Sequence, residues 1–174
     1  MKSVNAKFLF VCLLFILTAV HAFSQTTSTV QVNQGFQQLQ NENFESAINI
    51  FSNILQAEPE NKQARLGLAI ALTGIEKFSE ASREVAKLLA RSPDDLKLLE
   101  MAAQLFWQQK RYVEAEIILR RRISKGNLTA EIWALFGDVL EAQRKSVEAV
   151  VPYENAVKLK PDSINFRYAL GSVY

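Results

Sequence analysis

The chain has 174 residues, of which 49% are apolar and 22% are charged, and its formal net charge is +2. This length and balance fit one folded domain with a real core, and they argue against a disordered chain or a multi-span membrane protein. Six Gly and four Pro are too few for a loop-rich all-β fold. Lys2 and Lys7 account for the excess charge, so the rest of the chain is neutral and has no general attraction to nucleic acid or anionic membrane.

Residues 1–24 have the pattern of a secretory signal. Two lysines precede an apolar run over residues 8–20, and small residues follow at Ala22 and Ser24. We expect cleavage after Ser24, with cleavage after Ala22 as the alternative. An uncleaved membrane anchor is the competing interpretation, but the run is shorter than the roughly 20 residues that cross a bilayer. The mature protein is therefore expected to be periplasmic or secreted, without a membrane span.

Cleavage would also remove the only cysteine and the only histidine of the chain, Cys12 and His21. The mature protein would then lack disulfides, thiol nucleophiles, histidine bases and zinc sites of the usual ligands. The sequence also contains no phosphate-binding glycine-rich loop and no EF-hand pattern. We therefore predict no catalytic site, no cofactor and no metal.

An internal 34-residue repeat runs through the remaining chain. A column of alanines marks it, and a column of larger apolar residues follows four positions later: Ala47, Ala81, Ala115 and Ala149, then Phe51, Val85, Leu119 and Tyr153. A third column holds only small residues: Gly35, Ala69, Ala103, Gly137 and Gly171. Apolar residues at three- and four-residue steps predict helices, and the small residues predict close helix crossings.

Each unit is therefore predicted to be a helix–turn–helix pair. The four units span residues 28–61, 62–95, 96–129 and 130–163, and residues 164–174 open a fifth unit or form a closing helix. Pro59, Pro93 and Pro161 mark three of the turns between units, where acidic or hydroxyl residues such as Asp94–Asp95 can cap the next helix. Gly126–Asn127 replaces proline at the remaining turn and can supply a left-handed helix end.

Four departures from the repeat pattern each lead to a separate structural expectation. Because Gln31, Gln34 and Gln38 replace apolar residues, the leading helix of the first unit is expected to be rotated, frayed or a polar cap. Pro152 should bend the second helix of the fourth unit. Arg122 stands in an apolar column, and its stem is expected to pack while its charge reaches solvent. The half-unit at residues 164–174 is either a closing helix or the sign of a fragment of a longer protein.

The fourth unit carries the fullest set of repeat residues: Trp133, Phe136, Gly137, Leu140, Ala149, Tyr153, Ala156 and Pro161. With these residues in a 34-residue period, the chain resembles the tetratricopeptide repeat (TPR) family over residues 28–174. The resemblance implies an all-α fold, a right-handed α-solenoid of stacked helix–turn–helix units. It also implies a non-enzymatic scaffold that binds a protein or peptide on a concave surface lined by the first helix of each pair.

By this resemblance we predict a partner-binding set on the first helices: Leu66, Ile70, Lys97, Gln104, Trp107, Gln108, Asp138 and Glu141. The Lys, Arg and Asn cluster with which some TPR domains hold a C-terminal carboxylate is missing from the matching positions. Trp107 is either a binding hot spot or a core side chain wedged between first helices. Asp138 and Glu141 form an acidic edge rather than an acid–base pair.

One further sequence feature bears on function. The basic run Arg120–Arg122, with Lys125 nearby, suggests either compensation of a helix dipole or an anion site, and we favour the former.

The leading functional hypothesis is an extracytoplasmic bacterial TPR scaffold for a protein or peptide. The alternative is the TPR stem of a cell-envelope export or assembly complex, such as polysaccharide secretion, with this chain as its N-terminal part. An enzyme would need a further domain.

Overall fold

The computed structural model describes residues 28–174, which form helices and turns with no β-strand among them. The helices are α1 (28–40), α2 (Phe44–Ala57), α3 (Lys62–Gly74), α4 (Phe78–Arg91), α5 (Leu96–Gln108), α6 (Tyr112–Ile123), α7 (Ala130–Ala142), α8 (Ser146–Leu159) and α9 (Ile164–Ser172). The all-α class predicted from the repeat is confirmed. The predicted signal segment lies outside the described residues.

The chain divides into two compact units, the first ending at Ala71 and the second running from Leu72 to Tyr174. The core of the first unit is built by α1, α2 and most of α3. Its buried residues are Val32, Ala47, Phe51, Ile54, Ala64 and Ala71. Apolar side chains at three- and four-residue steps therefore form the contact face of each of these helices, as the periodicity predicts.

Helix α1 keeps the register of the repeat despite its glutamines. Val32 is buried, and a Cβ added at Gly35 would lie 2.6 Å from the Cε1 atom of Phe51. Gln31 and Gln34 point outward and are exposed. The helix is thus neither rotated nor frayed over residues 28–40, and its glutamines form a polar outer face, which was one of the three expected outcomes.

The core of the second unit shows how side-chain size is matched between the columns. A Cβ added at Gly137 would lie 2.4 Å from the Cε1 atom of Tyr153, so only glycine fits beneath that ring. One repeat earlier, Ala103 and Leu119 occupy the same two columns, and both are buried in the same core cluster. Glycine therefore occurs opposite an aromatic ring and alanine where the larger residue is a leucine.

The turn inside each helix pair places a non-glycine residue in the left-handed region. Glu42, Glu76, Lys110 and Arg144 have φ between 57° and 60° and recur at the 34-residue period. In the last of these turns, the Lys145 N–H donates to the Leu140 carbonyl at 2.9 Å and the Arg144 N–H donates to the Glu141 carbonyl at 2.8 Å, which is a Schellman helix end. This column has no sequence signal because glycine, the usual residue in a left-handed helix end, is absent from it.

The turns between helix pairs follow the predicted capping chemistry. The Asp95 carboxylate accepts a hydrogen bond from the Leu98 N–H at 3.1 Å, so its predicted role as an N-cap is confirmed. Gly126 and Asn127 have φ of 74° and 49°, which confirms the left-handed helix end expected there. Helix α8 continues through the buried Pro152, and the bend predicted at this residue stays a prediction.

Candidate partner-binding surface

The exposed polar side chains of α5 lie opposite the side of the helix that packs into the core. The packed side is formed by Leu98, Leu99, Ala102, Ala103 and Leu105. Lys97, Gln104 and Gln108 are exposed, and within residues 28–174 their side chains have no hydrogen bond or ion pair. These three predicted residues are therefore free to bind a partner.

On α7, Asp138 forms a hydrogen bond that sequence analysis did not anticipate. The Tyr153 hydroxyl donates to Asp138 Oδ1 at 2.8 Å. Burial raises the pKa of the Asp138 carboxyl, and the bond from Tyr153 only partly opposes this. Burial also raises the pKa of the Tyr153 hydroxyl, with the Asp138 carboxylate adding to the effect. The only sequence signal was a tyrosine in the column where the first unit has Phe51.

Glu141 lies one helical turn after Asp138 and is half-buried. Its Oε1 atom is buried and has no hydrogen-bond partner within the described part of the chain. Neither Glu141 nor Asp138 forms an ion pair with a basic residue there. An unpaired buried polar atom costs about 1–3 kcal/mol of stability, so Glu141 is held in this place at a cost to the fold.

Trp107 is half-buried and packs against the core cluster of the second unit. Its ring centroid lies 5.3 Å from that of Tyr112, with the two planes tilted by 51°. One side of the indole therefore packs between α5 and α6. The corresponding position of the next repeat unit is Glu141, so Trp107 and Glu141 occupy equivalent places on consecutive first helices.

The two remaining predicted residues, Leu66 and Ile70, lie on α3 in the first compact unit, and both are half-buried. A Cβ added at their neighbour Gly67 would lie 2.3 Å from the Phe51 ring, which fixes the side of α3 that meets α2.

The basic run on α6 forms a set of specific ion pairs. Arg120 pairs with Glu116 at 2.8 Å and with Glu148 at 3.1 Å. Arg121 and Lys125 both pair with Asp94, at 3.0 and 2.8 Å. The pair of Arg120 with Glu148 joins α6 to α8 of the next helix pair, and all of these contacts occupy the charges that an anion site would need.

The expectation that the Arg122 charge reaches solvent is wrong. The side chain of Arg122 is only 3% exposed, and its Nε donates to Glu100 Oε1 at 2.7 Å. Its Nη1 and Nη2 atoms donate to the carbonyls of Gly126 at 2.7 Å and Asn127 at 2.9 Å. The guanidinium is thus buried because it joins α5 to the turn after α6, and its planar fork satisfies three acceptors at once.

A second network that sequence analysis missed is centred on Glu116. Its carboxylate accepts hydrogen bonds from Lys145 at 2.7 Å, Arg120 at 2.8 Å and Gln143 at 2.9 Å. Burial acts to raise the pKa of Glu116, but the bonds from Lys145, Arg120 and Gln143 outweigh it and lower the pKa to about 2. Lys145 and Gln143 belong to the following helix pair, so this carboxylate fixes one pair to the next.

Within residues 28–174, no group of three or more His, Cys, Asp or Glu side chains is arranged to hold a metal ion. No helix in this part of the chain is long and apolar enough to cross a membrane.

Comparison with known proteins agrees with this architecture. Two family models, both described as tetratricopeptide repeats, match residues 38–100 and 74–127 and together span just over half of the chain. The chain is a tetratricopeptide repeat protein. Neither model describes a catalytic family.

Two curated relatives are similar to this TPR protein over part of its length. Protein bimA of Emericella nidulans is 24% identical over 115 residues, which are 66% of this chain and 14% of that protein. Tetratricopeptide repeat protein 7B of Homo sapiens is 33% identical over 86 residues, which are 49% of this chain and 10% of that protein. The chain therefore spans only a small part of the length of these relatives.

Solved structures show the same fold. The crystal structure of MamA protein has a TM-score of 0.79 at 20% identity and covers 85% of this chain and 81% of its own. MamA 41-end from Desulfovibrio magneticus RS-1 has a TM-score of 0.79 at 18% identity, covering 84% and 82%. A tetratricopeptide repeat protein from Parabacteroides merdae has a TM-score of 0.64 at 22% identity, covering 84% and 57%. The predicted TPR solenoid is thereby confirmed.

Proposed function

We propose that this TPR protein is a non-enzymatic scaffold that binds a protein or peptide outside the cytoplasm, on the concave surface formed by first helices such as α5 and α7. Proteins of this family bind protein partners, and both matching family models describe the repeat. The signal pattern of residues 1–24 supports the location.

The observation that carries the proposal is the half-buried carboxylate of Glu141, which forms no ion pair within the described chain. It lies one turn from Asp138, whose Oδ1 atom already accepts the Tyr153 hydroxyl. Two carboxylates on one helix face, without a basic partner in the described chain, favour a partner that brings cationic hydrogen-bond donors. We therefore propose that the bound segment presents a lysine, arginine or N-terminal amino group to Glu141.

The equivalent place on α5 extends the same surface. Trp107 stands where α7 has Glu141, and an indole face attracts cations as well as apolar groups. The exposed amides of Gln104 and Gln108 can donate to and accept from a peptide backbone. Together, α5 and α7 offer an aromatic, an amide and an acidic contact to one extended segment.

The test uses Glu141→Leu and an array of peptides in which each Lys and Arg is present or replaced by Gln. The wild-type chain should retain the basic peptides better than their Gln copies, and Glu141→Leu should abolish that preference. Because the substitution removes an unpaired buried oxygen, the free energy of unfolding should be unchanged or rise by about 1 kcal/mol. Glu45→Leu, at an exposed acid on α2, is the control and should keep the preference.

An equal retention of basic and Gln peptides by the wild-type chain would refute the acidic site. A large loss of stability in Glu141→Leu would show that the carboxylate is structural instead.

Trp107→Ala separates the two expectations for this residue. A hot spot should lose about 2 kcal/mol or more of binding free energy with the fold largely intact, whereas a core residue should lose about 3–5 kcal/mol of stability. Thermal melts beside the peptide titration distinguish these outcomes.

The location has its own test. N-terminal sequencing of exported protein should begin at Gln25 or Phe23, and intact Met1 in the membrane fraction would contradict cleavage.

A further inference from the structure

Four large apolar side chains are exposed on α6 and α8, the second helices of the third and fourth repeat units. Val113 and Ile117 stand about one helical turn apart on α6 and are 60% and 62% exposed. Val147 and Val151 stand at the equivalent places on α8 and are 88% and 59% exposed. We call these four residues the outer apolar face, and they form two short rows of β-branched side chains.

The repeat itself does not require apolar residues at these positions. The first two units have exposed polar residues there, Glu45 and Asn49 on α2 and Ser79 and Arg83 on α4. Val and Ile are weaker helix formers than Glu or Arg, so the helices gain nothing from them locally. Single exposed apolar residues are common on protein surfaces, whereas four at equivalent places on adjacent helices indicate an interaction surface.

The outer apolar face stays open when a further repeat unit follows. Val113 and Ile117 are followed by the complete fourth unit, and both remain exposed. Ser79 and Arg83 are followed by two complete units and are exposed as well. A repeat unit stacked after another thus leaves these positions of the second helix uncovered, and their exposure does not depend on the next unit.

Two uncompensated cations lie beside the outer apolar face. Lys110 and Arg144 each precede the first valine of a row by three residues, and both are exposed. Neither side chain has a hydrogen bond or an ion pair within residues 28–174. Their backbones are held in the left-handed turn, with φ of 57° and 60°, where the first two units have Glu42 and Glu76. The apolar rows and the positive charges therefore occur together in the same two units.

We propose that the outer apolar face binds one acidic amphipathic helix of a partner protein. Arg120 of α6 pairs with Glu148 of α8 at 3.1 Å, so the two rows lie on adjacent helices. Their side chains repeat at one helical turn, which is also the spacing of the apolar stripe on an incoming helix. Carboxylates of that helix pair with Lys110 and Arg144. Because both free cations have the same sign, a basic helix is repelled.

Three other occupants fit the outer apolar face less well. A lipid surface would press against Glu148, which is exposed beside Val147, and the face has none of the aromatic residues typical of membrane binding. A second copy meeting this face through its own would bring Lys110 and Arg144 toward like charges. Residues 1–27 of the chain contain two lysines and no acidic residue, so they have the wrong charge.

The experiment selects helix-forming peptides from a displayed random library on the wild-type chain. Counter-selection on the double variant Ile117→Asn, Val151→Asn removes peptides that bind elsewhere. The variant should fold normally because Asn49 is exposed at the same position of α2, and its thermal melt should match that of the wild-type chain. The enriched peptides should carry apolar residues at three- and four-residue steps and an excess of Asp and Glu.

The most enriched peptide is then synthesised with a fluorescent label and titrated by fluorescence anisotropy. The double variant Lys110→Glu, Arg144→Glu should bind it about tenfold or more weakly than the wild-type chain does. Its turns should form normally, since Glu42 and Glu76 occupy them in the first two units. A copy of the peptide with every Asp and Glu replaced by Lys should prefer this variant. Val30→Asn, at a 55% exposed valine of α1, is the control and should bind like the wild-type chain.

The proposal is overturned if no peptide survives the counter-selection, if the surviving peptides are not acidic, or if the charge reversal leaves binding unchanged. Two further measurements test the other occupants. Co-sedimentation with vesicles of phosphatidylcholine and phosphatidylglycerol that is lost in the double variant Ile117→Asn, Val151→Asn would make a membrane the occupant. Self-association in sedimentation velocity that is lost in the same variant would make it a second copy.

Discussion

The close contact of Gly137 with Tyr153 can be tested by adding a single methyl group. In Gly137→Ala, the new Cβ would lie 2.4 Å from Cε1 and 2.7 Å from Cδ1 and Cζ of the Tyr153 ring, well inside contact distance. The ring cannot retreat freely because its hydroxyl is bound to Asp138 at 2.8 Å. Either the ring or the helix must therefore shift.

The expected magnitude combines two opposing effects. Overpacking a core by a methyl group costs about 1–3 kcal/mol, whereas alanine is better than glycine in a helix interior by about 1 kcal/mol. We expect Gly137→Ala to lower the free energy of unfolding by up to about 2 kcal/mol. Gly171→Ala, in the same column but with open space around its Cβ, should be neutral or slightly stabilising.

A double-mutant cycle with Tyr153→Leu identifies the cause. Tyr153→Leu alone leaves a cavity and should cost about 2–3 kcal/mol. In the double variant, the alanine methyl occupies part of that cavity, reproducing the Ala103 and Leu119 combination found one repeat earlier. The double variant should therefore lose less than the sum of the single losses, with a coupling of about 1 kcal/mol or more.

The assay is equilibrium unfolding in urea, with the slope against denaturant compared among the variants to confirm that the same transition is measured. Additive losses in the cycle would refute the steric explanation. So would an equal effect of the alanine at Gly137 and at Gly171.

Two other predictions concern buried charges. Glu100→Ala should cost about 2–3 kcal/mol of stability because it leaves the buried Arg122 guanidinium without its anion. Arg122→Met should cost only about 1 kcal/mol because water can reach the acceptors left behind. Urea unfolding that shows the reverse order of stability losses would contradict this prediction. The Glu116 pKa of about 2 lies below its ordinary value of 4.5, so the ion-pair network stabilises the fold above pH 4.5. This stabilisation is on the order of 2 kcal/mol and is lost as the pH falls toward 2. The melting temperature of Glu116→Gln should be lower than that of the wild-type chain near pH 7 and equal to it near pH 2. A difference in melting temperature that stays constant with pH would count against the network.

Much of the fold was determined by local and periodic features of the sequence. Helix faces follow from apolar residues at three- and four-residue steps, and the small-residue column follows from helix crossings that admit no larger side chain. The N-cap at Asp95 and the left-handed end at Gly126–Asn127 depend on residues within one turn of the helix they bound. Such signals are readable because each involves neighbours along the chain or an exact repeat of them.

The outward glutamines of α1 show where the repeat pattern was ambiguous. Their polarity allowed a rotated, frayed or capping helix, and only the contact between Gly35 and Phe51 in the tertiary structure decided among these.

Only the tertiary structure decided the partners of the charged and polar side chains. Arg122 is buried because Glu100, 22 residues away, lies within reach of its fork. Glu116 meets Lys145 across 29 residues, and Tyr153 meets Asp138 across 15. A long charged side chain can take many directions, and its burial depends on whether a partner from another helix offsets the loss of hydration. The sequence pattern does not predict such contacts between distant residues. The buried guanidinium of Arg122 and the unpaired oxygen of Glu141 therefore follow only from the packing of the helices.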